Sequence, residues 1–562
     1  LVGAADVDYS ERHLAYFSHR RNNTAGDGED NYDDTYGWYG GGSNFQAIAE
    51  LSGWYGAASE SDFPYDSYGD MEDLTEDERS SSVSHMTNAN ILSKPEEIKR
   101  SVMENGAVMC SFHSGSGTLS TAEVNVYNAE RRVTDHAVSI VGWDDSYPKT
   151  KFDDNGRSPA QDGAWRCRNS WGGDWAEAGY FWISYEDASI GAFCSFEAEN
   201  ADNYDHIYQY DGADYGIAMS YEKAANVFCA EGAEELRAVS FQVQHAYDYV
   251  IEVYVEGEEE MTLPSDGILL CRQQGSFEYP GYHLIPLDAS VLLESGMKYA
   301  VGVRLTDKSG DTGFICMEMG DEYSAQPGES FVYYNKGWMD TTEAPNNLKN
   351  VCIKAFTDDV TSIDKSKLLQ AIRECEAENL KESDYTAATW AKYLEMKQAA
   401  EALYQSAQPS EHEIVRAVIN LKSARNALKP AEVLIADENS FVRFIKDIEA
   451  GSSYEGQTVR LRCDLDMRGV EYHILRMGQK LFQGTFDGGG HSISNLSCRY
   501  GYSYGGLFGQ IGNQGVVKDL LLLNVEALEL SGSFSGGIAG INEGTIRGCK
   551  VTGENLEFAS SN

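Results

Sequence analysis

The chain has 562 residues, a length that suits roughly three or four domains with buried cores. Its formal net charge is -45 at pH 7 without a basic patch, which argues against nucleic acid or anionic membranes as partners and favours an extracellular location. No apolar run approaches the ~20 residues that a transmembrane helix needs, so no transmembrane segment is expected in this chain.

The eleven cysteines lie singly along the chain and form no CxxC pair. This spacing indicates neither a disulfide framework nor a zinc site. Histidine-pair signatures of metal sites are also missing from the sequence. We therefore expect no metal and no cofactor from motifs alone.

Three short motifs precede the first cysteine: residues 9–14 (Tyr-Ser-Glu-Arg-His-Leu), residues 40–44 (Gly-Gly-Gly-Ser-Asn) and residues 62–65 (Asp-Phe-Pro-Tyr). Glycine lacks a Cβ, so the main chain of the second motif is open to close approach by another backbone. Taken alone, the same motif also fits an ordinary glycine-rich turn.

An imidazole is predicted at the start of a buried strand. Residues 137–143 (Ala-Val-Ser-Ile-Val-Gly-Trp) form an apolar, β-branched run that directly follows His136. Histidine is the side chain that exchanges a proton near neutral pH without help from its surroundings. His136 is thus a candidate general base and acid.

An amide is predicted at the end of a neighbouring strand. Residues 163–168 read as a short strand, and Asn169 follows it before a Gly-Gly turn. An asparagine in that place can hold the imidazole in one tautomer and orientation, while the indole of Trp171 keeps water off the hydrogen bond. The pattern predicts that His136 and Asn169 act as a pair.

Residues 169–181 (Asn-Ser-Trp-Gly-Gly-Asp-Trp-Ala-Glu-Ala-Gly-Tyr-Phe) resemble the asparagine loop of the papain-like C1 family of cysteine proteases. The three N-terminal motifs, His136 and this loop occur in the order that the family has. The match is too long to treat His136 as an isolated polar residue at a strand edge. The resemblance implies a papain-like α+β protease domain over residues 1–198, which lacks its N-terminal part.

The resemblance also implies roles for single residues. His136 and Asn169 would be catalytic, with His136 as base and then acid, and Trp171 would shield the pair. Gly41 and Gly42 would bind the substrate backbone. Ala137 would border the pocket for the side chain that precedes the scissile residue.

The nucleophile that this family requires is missing from the sequence. In the family the cysteine and the oxyanion-hole glutamine precede the Ser-Glu motif, yet none of residues 1–9 is Cys, Ser or Gln. The first cysteine, Cys110, lies in a strand-like run that resembles a later strand of the family. For Cys110 a small hydrophobic residue in a buried strand is the better interpretation.

Two explanations stay open, namely a fragment that begins inside the catalytic domain and a protein without the nucleophile. The first residues contain no initiator methionine and no signal core, and residues 558–562 stop inside a repeat, which favours the fragment. The alternative is a non-catalytic surface adhesin or glycan-binding protein, or a structural stalk, with a vestigial protease fold. A Gln followed by Cys-Trp encoded upstream of Leu1 would support the enzyme.

Residues 199–358 change to short alternating segments, such as residues 250–255 and 298–303, separated by Gly and Asp turns. This pattern predicts an all-β sandwich or jelly roll. The Asn-Tyr-Asp at residues 203–205 and the Gly-Tyr-His at residues 281–283 carry a further likeness. Through these two motifs the segment resembles the lectin-like domain of clostridial cell-surface cysteine proteases. Sugar binding, calcium binding and a packing role all stay open.

Residues 362–430 switch to helical periodicity, with Leu368, Ile372 and Cys375 on one face. The segment resembles a FIVAR module, a three-helix bundle of Gram-positive surface proteins. Trp390 in it is expected to be part of the core rather than a ligand contact.

Residues 433–562 contain a repeat. Residues 505–509 (Gly-Gly-Leu-Phe-Gly) and 536–540 (Gly-Gly-Ile-Ala-Gly) share a pattern, and both resemble GLUG-type repeats. Each repeat would supply short strands of a right-handed parallel β-solenoid that cannot bury its apolar face alone. Such arrays serve as stalks or adhesive surfaces.

Together these features predict a multidomain α+β protein: a fragment of a secreted or surface-attached papain-like endopeptidase from a Gram-positive bacterium. It would hydrolyse peptide bonds by a Cys-His-Asn mechanism, and the 562 residues alone are expected to be inactive for lack of the cysteine. The expected partners are a protein or peptide substrate, with cell-wall or host glycans as further candidates.

Overall fold

A computed structural model describes residues 7–18, 42–65, 74–115, 124–212, 217–319, 324–345, 348–470, 481–499, 504–528 and 534–553. The chain divides into two compact units, Leu1–Ile363 and Asp364–Asn562. None of the helices in these ranges is long and apolar enough to span a membrane.

The first part of unit one mixes helices with a sheet. Its helices are α1 Glu11–Ser18, α2 Asn44–Ser52, α3 Glu76–Arg79 and α4 Pro95–Asn105, and its strands are β1 Ser84–Ile91, β2 Val108–Phe112, β3 Asn125–Val126, β4 His136–Asp144, β5 Ala164–Arg168, β6 Tyr180–Ser184 and β7 Gly191–Asn200. The two strands predicted around His136 and before Asn169 are thus present as β4 and β5.

The second part of unit one consists of strands apart from short 3-10 turns, within the ranges described. These strands are β8 His206–Tyr208, β9 Ile217–Met219, β10 Ala224–Cys229, β11 Glu234–Val243, β12 Asp248–Val255, β13 Ile268–Ser276, β14 Gly281–Leu293, β15 Lys298–Thr306, β16 Ile315–Met319, β17 Ser330–Tyr334, β18 Gly337–Asp340, β19 Leu348–Val351 and β20 Ile353–Asp359. They include a six-stranded sheet in the order β13-β12-β15-β10-β17-β18.

One sheet runs through both parts of unit one. Its eleven strands have the order β3-β6-β5-β4-β2-β7-β1-β14-β11-β20-β8. The junction is the antiparallel pair β1–β14, in which Ala89 lies opposite Tyr282 and Asn90 opposite Gly281. Gly281 has φ +135, and a Cβ there would lie 1.8 Å from the carbonyl oxygen of Ala89, so the junction requires glycine. The two parts are joined by backbone hydrogen bonds as well as by the chain.

Unit two begins with three helices, α5 Lys365–Ala377, α6 Ala387–Gln405 and α7 Glu411–Asn426. Each of the three contacts the other two. Trp390 is buried and stacks on Tyr385 with ring centroids 5.9 Å apart, as expected for a packing residue. The assignment to FIVAR modules stays a prediction.

The rest of unit two is a parallel β-solenoid. Its elements are β21 Glu432–Ile435, α8 Glu438–Glu449, β22 Thr458–Leu461, β23 Leu465–Asp466, β24 Leu481–Phe482, β25 Thr485–Asp487, β26 Ser492–Ser494, β27 Ser497–Arg499, β28 Tyr504–Gly505, β29 Phe508–Ile511, β30 Val516–Lys518, β31 Leu521–Leu523, β32 Glu526–Leu528, β33 Phe534–Ser535, β34 Ala539–Asn542, β35 Thr545–Arg547 and β36 Lys550–Val551. Parallel ladders β21-β22-β25-β30-β35 and β23-β26-β31-β36 stack its coils.

The repeat seen in the sequence matches this stacking. Phe508 of one glycine-rich motif pairs in parallel with Ala539, the equivalent position of the next. Phe444 of α8 packs among the rings of Phe482, Phe486 and Phe508, and all four side chains are buried. Stacking the coils therefore buries an aromatic row that a single repeat would leave in water.

Candidate active site

Strand register brings the two predicted catalytic residues together. His136 is the first residue of β4 and lies opposite Phe112 of β2. On the other side of β4, Ser139 lies opposite Arg168, the last residue of β5. Asn169 directly follows Arg168 and therefore lies just beyond the end of β5. This end of β5 is next to the first residues of β4, which include His136.

The side chains of the pair are joined by a hydrogen bond. His136 Nε2 lies 3.0 Å from Asn169 Oδ1, and the backbone N–H of Ser170 donates to the same oxygen at 2.8 Å. A carboxamide oxygen only accepts hydrogen bonds, so Nε2 carries the proton and Nδ1 keeps its lone pair. Nδ1 makes no hydrogen bond to any described residue, which leaves it available as a base.

The imidazole is one member of a closed circuit of aromatic ring contacts. The ring of His136 lies 5.2 Å from Trp171 and 5.6 Å from Phe112, centroid to centroid. Trp175 and Phe181 close the circuit with spacings of 5.3, 5.5 and 5.7 Å. Asn169 is only 5% exposed, whereas Trp171 is 50% exposed. The half-exposed indole thus lies next to the imidazole that bonds to the buried Asn169.

Two glycines shape the loop that carries Asn169. Gly172 has φ +84 and Gly179 has φ +87, both in the region that favours glycine. The N–H of Asn169 donates to Gly179 O at 2.9 Å, and the N–H of Gly179 donates to Trp175 O at 2.7 Å. These bonds close the loop and hold Asn169 at its base.

An apolar cavity of about 620 Å³ lies beside the strand that carries His136. Ala137 and Ser139, which alternate with the core-facing residues of β4, belong to its wall, as does Gly42 at the start of α2. The structure thus brings the predicted substrate-contacting residues Gly42 and Ala137 to one cavity. Gly41 lies outside the described residues.

Comparisons with known proteins place two domain families in the chain. Residues 30–202 match the model of the papain family cysteine protease, and residues 207–357 match that of the lectin like domain. The chain carries a papain-family protease domain followed by a lectin-like domain.

Two solved structures of the clostridial cysteine protease Cwp84 resemble this papain-family and lectin-like pair. The first is Cwp84 after propeptide cleavage, which is 26% identical with a TM-score of 0.52. The match covers 63% of this chain and 89% of that Cwp84 chain. The second contains the protease and lectin-like domains of Cwp84, a surface layer associated protein of Clostridium difficile; it is 26% identical with a TM-score of 0.53 and covers 63% of this chain and 80% of that chain.

A curated relative matches a shorter stretch. Halomucin of Haloquadratum walsbyi is 41% identical over 122 residues, which is 19% of this chain. The chain spans only 1% of the length of halomucin.

The cysteines of the papain-family domain do not serve His136 in the described structure. Cys110 is fully buried and lies opposite Val138, and a hydrogen bond joins its free thiol to the free thiol of Cys167. Cys194 lines the apolar cavity, but burial raises the pKa of its thiol to about 12, so it stays protonated. No described cysteine makes a hydrogen bond with His136, in line with the interpretation of Cys110 as a packing residue.

Sequence reasoning assigned no role to Asp135, the residue before the histidine. Its carboxylate accepts the N–H of Ser114 at 2.6 Å and lies 2.9 Å from His113 Nδ1. Burial opposes ionisation of Asp135, but the hydrogen bonds from Ser114 and the charges of His113 and His136 outweigh it and lower the pKa of this carboxyl. The side chain fixes the approach to β4. The sequence offered one signal for Asp135, namely its position directly before His136.

The lectin-like domain contains a buried charged cluster. Lys354 Nζ lies 2.6 Å from Asp211 Oδ2. Glu318 accepts the N–H of Gly212 at 3.0 Å and an amide N–H of Asn350 at 2.9 Å. Burial, followed by the charge of Asp211, raises the pKa of Glu318 to about 7. In the described part of the chain no group of three or more His, Cys, Asp and Glu side chains is arranged to hold a metal.

Proposed function

We propose that this chain is the acid–base and substrate-binding part of a cysteine endopeptidase that acts outside the cell or at its surface. The observation that carries the proposal is the 3.0 Å hydrogen bond from His136 Nε2 to Asn169, which leaves Nδ1 free. A base with one fixed tautomer suits proton transfer from a thiol.

The proposed reaction begins when His136 Nδ1 takes the proton of a cysteine thiol. The thiolate attacks the peptide carbonyl carbon, and the imidazolium returns the proton to the leaving amine as the C–N bond breaks. Water then attacks the acyl-thioester with His136 again as base, which releases the acid product and regenerates the thiol. Asn169 holds the ring in place throughout, and Trp171 limits the access of water to their hydrogen bond.

The attacking cysteine is proposed to lie outside the 562 residues. No cysteine precedes Cys110 in the sequence, and Cys110 itself is buried among core side chains. The apolar cavity beside Ala137 and Ser139 offers a place where a thiol-bearing segment would dock. Apolar walls favour a packed protein segment there, because its burial removes apolar surface from water.

The substrate is proposed to be a protein or peptide in extended form, with its backbone along Gly41 and Gly42 and a side chain towards Ala137. A surface location is supported by the net charge of -45 and by the likeness to Cwp84, which is described as surface layer associated. In that setting the solenoid would be a stalk or an adhesive surface, and glycans of the cell wall or host are candidate partners.

The experiment is peptide hydrolysis by the protein expressed from its complete reading frame, with and without iodoacetamide. The proposal expects hydrolysis of fluorogenic peptides that iodoacetamide abolishes, since the thiolate is the nucleophile. Protein that is folded yet cleaves no peptide would instead support the non-catalytic adhesin.

The 562-residue chain is the companion test of where the nucleophile lies. We expect no turnover from it. Thiol-dependent turnover that disappears in Cys110→Ala, but persists in the distant Cys229→Ala, would show that Cys110 is the nucleophile.

A further inference from the structure

A second cavity lies where the protease and lectin-like domains join. It has a volume of about 260 Å³ and opens between the β1–β14 junction, α4 and β7. Pockets for drug-sized ligands span roughly 300–1,000 Å³, so this one suits a smaller molecule. Its wall is mostly polar, in contrast to the apolar cavity beside His136.

A carboxylate without a cationic partner lies in this wall. Glu197 accepts hydrogen bonds from the side-chain amides of Asn90 at 3.1 Å and of Asn88 and Asn105 at 3.3 Å. All three donors are neutral. No lysine or arginine contacts Glu197 among the residues described, so its negative charge is held without compensation.

Two buried hydroxyls in the same wall lack hydrogen-bond partners. Ser101 is 7% exposed and Ser195 is 1% exposed, and the Oγ atom of each makes no hydrogen bond to a described residue. Leaving a buried hydroxyl without a hydrogen bond is destabilising, so such groups are normally satisfied by a ligand or by water. This observation is independent of the charge on Glu197.

The remaining wall adds negative charge and no free positive charge. Glu104 and Glu278 lie at the cavity, and the guanidinium of Arg100 is engaged with Glu278 at 2.6 Å. His283 stacks on Phe277 with centroids 4.2 Å apart, and burial lowers its pKa to about 4, so it is neutral at pH 7. The field inside the cavity therefore favours a cation.

We propose that this cavity binds a small hydroxylated primary ammonium ion, with the ammonium on Glu197 and the hydroxyls on Ser101 and Ser195. A charge-assisted hydrogen bond from the ammonium supplies the missing countercharge. Hydroxyl groups of the ligand both donate and accept, and they match the serine and asparagine side chains of the wall. An amino sugar carries both kinds of group on one small ring.

The cavity also shares two wall residues with the apolar cavity beside Ala137. Glu197 and Asn105 line both this cavity and the apolar one. A ligand that binds Glu197 therefore contacts a residue that also lines the apolar cavity, where a thiol-bearing segment is proposed to dock. The binding proposal itself does not depend on that function.

The test is a titration of the 562-residue chain with D-glucosamine at pH 6.5, followed by calorimetry and NMR. The matched ligand is N-acetylglucosamine, which has the same ring but a neutral amide in place of the ammonium. The matched variants are Glu197→Gln, which keeps an acceptor oxygen, Ser195→Ala, and the exposed Glu222→Gln as control.

We expect glucosamine to bind, N-acetylglucosamine to bind at least ~10-fold more weakly, and Glu197→Gln to weaken glucosamine binding by about the same factor. Ser195→Ala should weaken it by a smaller factor, and Glu222→Gln should leave it unchanged. No binding up to about 50 mM, equal binding of the two sugars, or full binding by Glu197→Gln would overturn the proposal. Competition by calcium at the same residues would assign the cavity to a metal ion instead.

Discussion

The N–H at Nε2 of His136 donates to Oδ1 of Asn169 across 3.0 Å, and this bond fixes which nitrogen of the ring is basic. The oxygen it uses also accepts the backbone N–H of Ser170. Because both donors hold the amide in place, the imidazole is oriented before any substrate arrives.

The tautomer of His136 gives the first prediction. In the 562-residue chain we expect nitrogen-15 NMR to show the proton on Nε2 of His136. Asn169→Ala removes the acceptor, so the ring should become a mixture of tautomers, as it is in free histidine. Ser170→Ala keeps the backbone N–H and is the control that should leave the spectrum unchanged. A proton on Nδ1 in the unchanged chain would contradict the proposed base.

The junction between the two domains gives the second prediction. Gly281→Ala places a Cβ 1.8 Å from the carbonyl oxygen of Ala89 and should lower the free energy of unfolding by about 3 kcal/mol or more. Gly296 also has a positive φ, but a Cβ there meets nothing within 4 Å, so Gly296→Ala should cost only about 1–2 kcal/mol. Urea unfolding of both variants measures the difference, and equal losses would argue against a tight β1–β14 junction.

Sequence patterns predicted the strands beside His136 and Asn169, because an apolar, β-branched run follows His136 and a short strand-like segment, residues 163–168, precedes Asn169. They also predicted the parallel solenoid, since its repeats align Phe508 with Ala539. They could not predict that β14 joins the protease sheet, because the pairing of strands far apart in the chain depends on register rather than on local composition. The role of Asp135 was missed for a similar reason, as its partners Ser114 and His113 are distant in sequence.

Glu318 gives a pH prediction. Its folded pKa of about 7 is above the usual value of 4.5 for glutamate, so the folded state binds the proton more tightly than the unfolded state. The contribution of Glu318 to the free energy of unfolding is therefore largest below pH 4.5. It falls by about 3 kcal/mol as the pH rises towards 7. Glu318→Gln should remove this part of the pH dependence in denaturation measured from pH 5 to 8. An unchanged slope would show that Glu318 titrates normally.

The aromatic row of the solenoid gives a further prediction. Phe444 is 2% exposed and lies within 6.2 Å, centroid to centroid, of Phe482, Phe486 and Phe508. Phe444→Ala should lower the stability of unit two by about 3–5 kcal/mol, because it leaves a cavity under α8. Leu434 is 47% exposed, so Leu434→Ala should cost far less. Thermal unfolding of unit two compares them, and similar losses would contradict the packing of α8.

The central claim, that His136 and Asn169 form the acid–base pair of a cysteine endopeptidase, is tested most directly by kcat/KM for peptide hydrolysis. The protein expressed from its complete reading frame is compared with His136→Ala, Asn169→Ala and the exposed His412→Ala. We predict that His136→Ala lowers kcat/KM by at least ~10³-fold and Asn169→Ala by about 10–100-fold, while His412→Ala has no effect. Full activity in folded His136→Ala would contradict the claim.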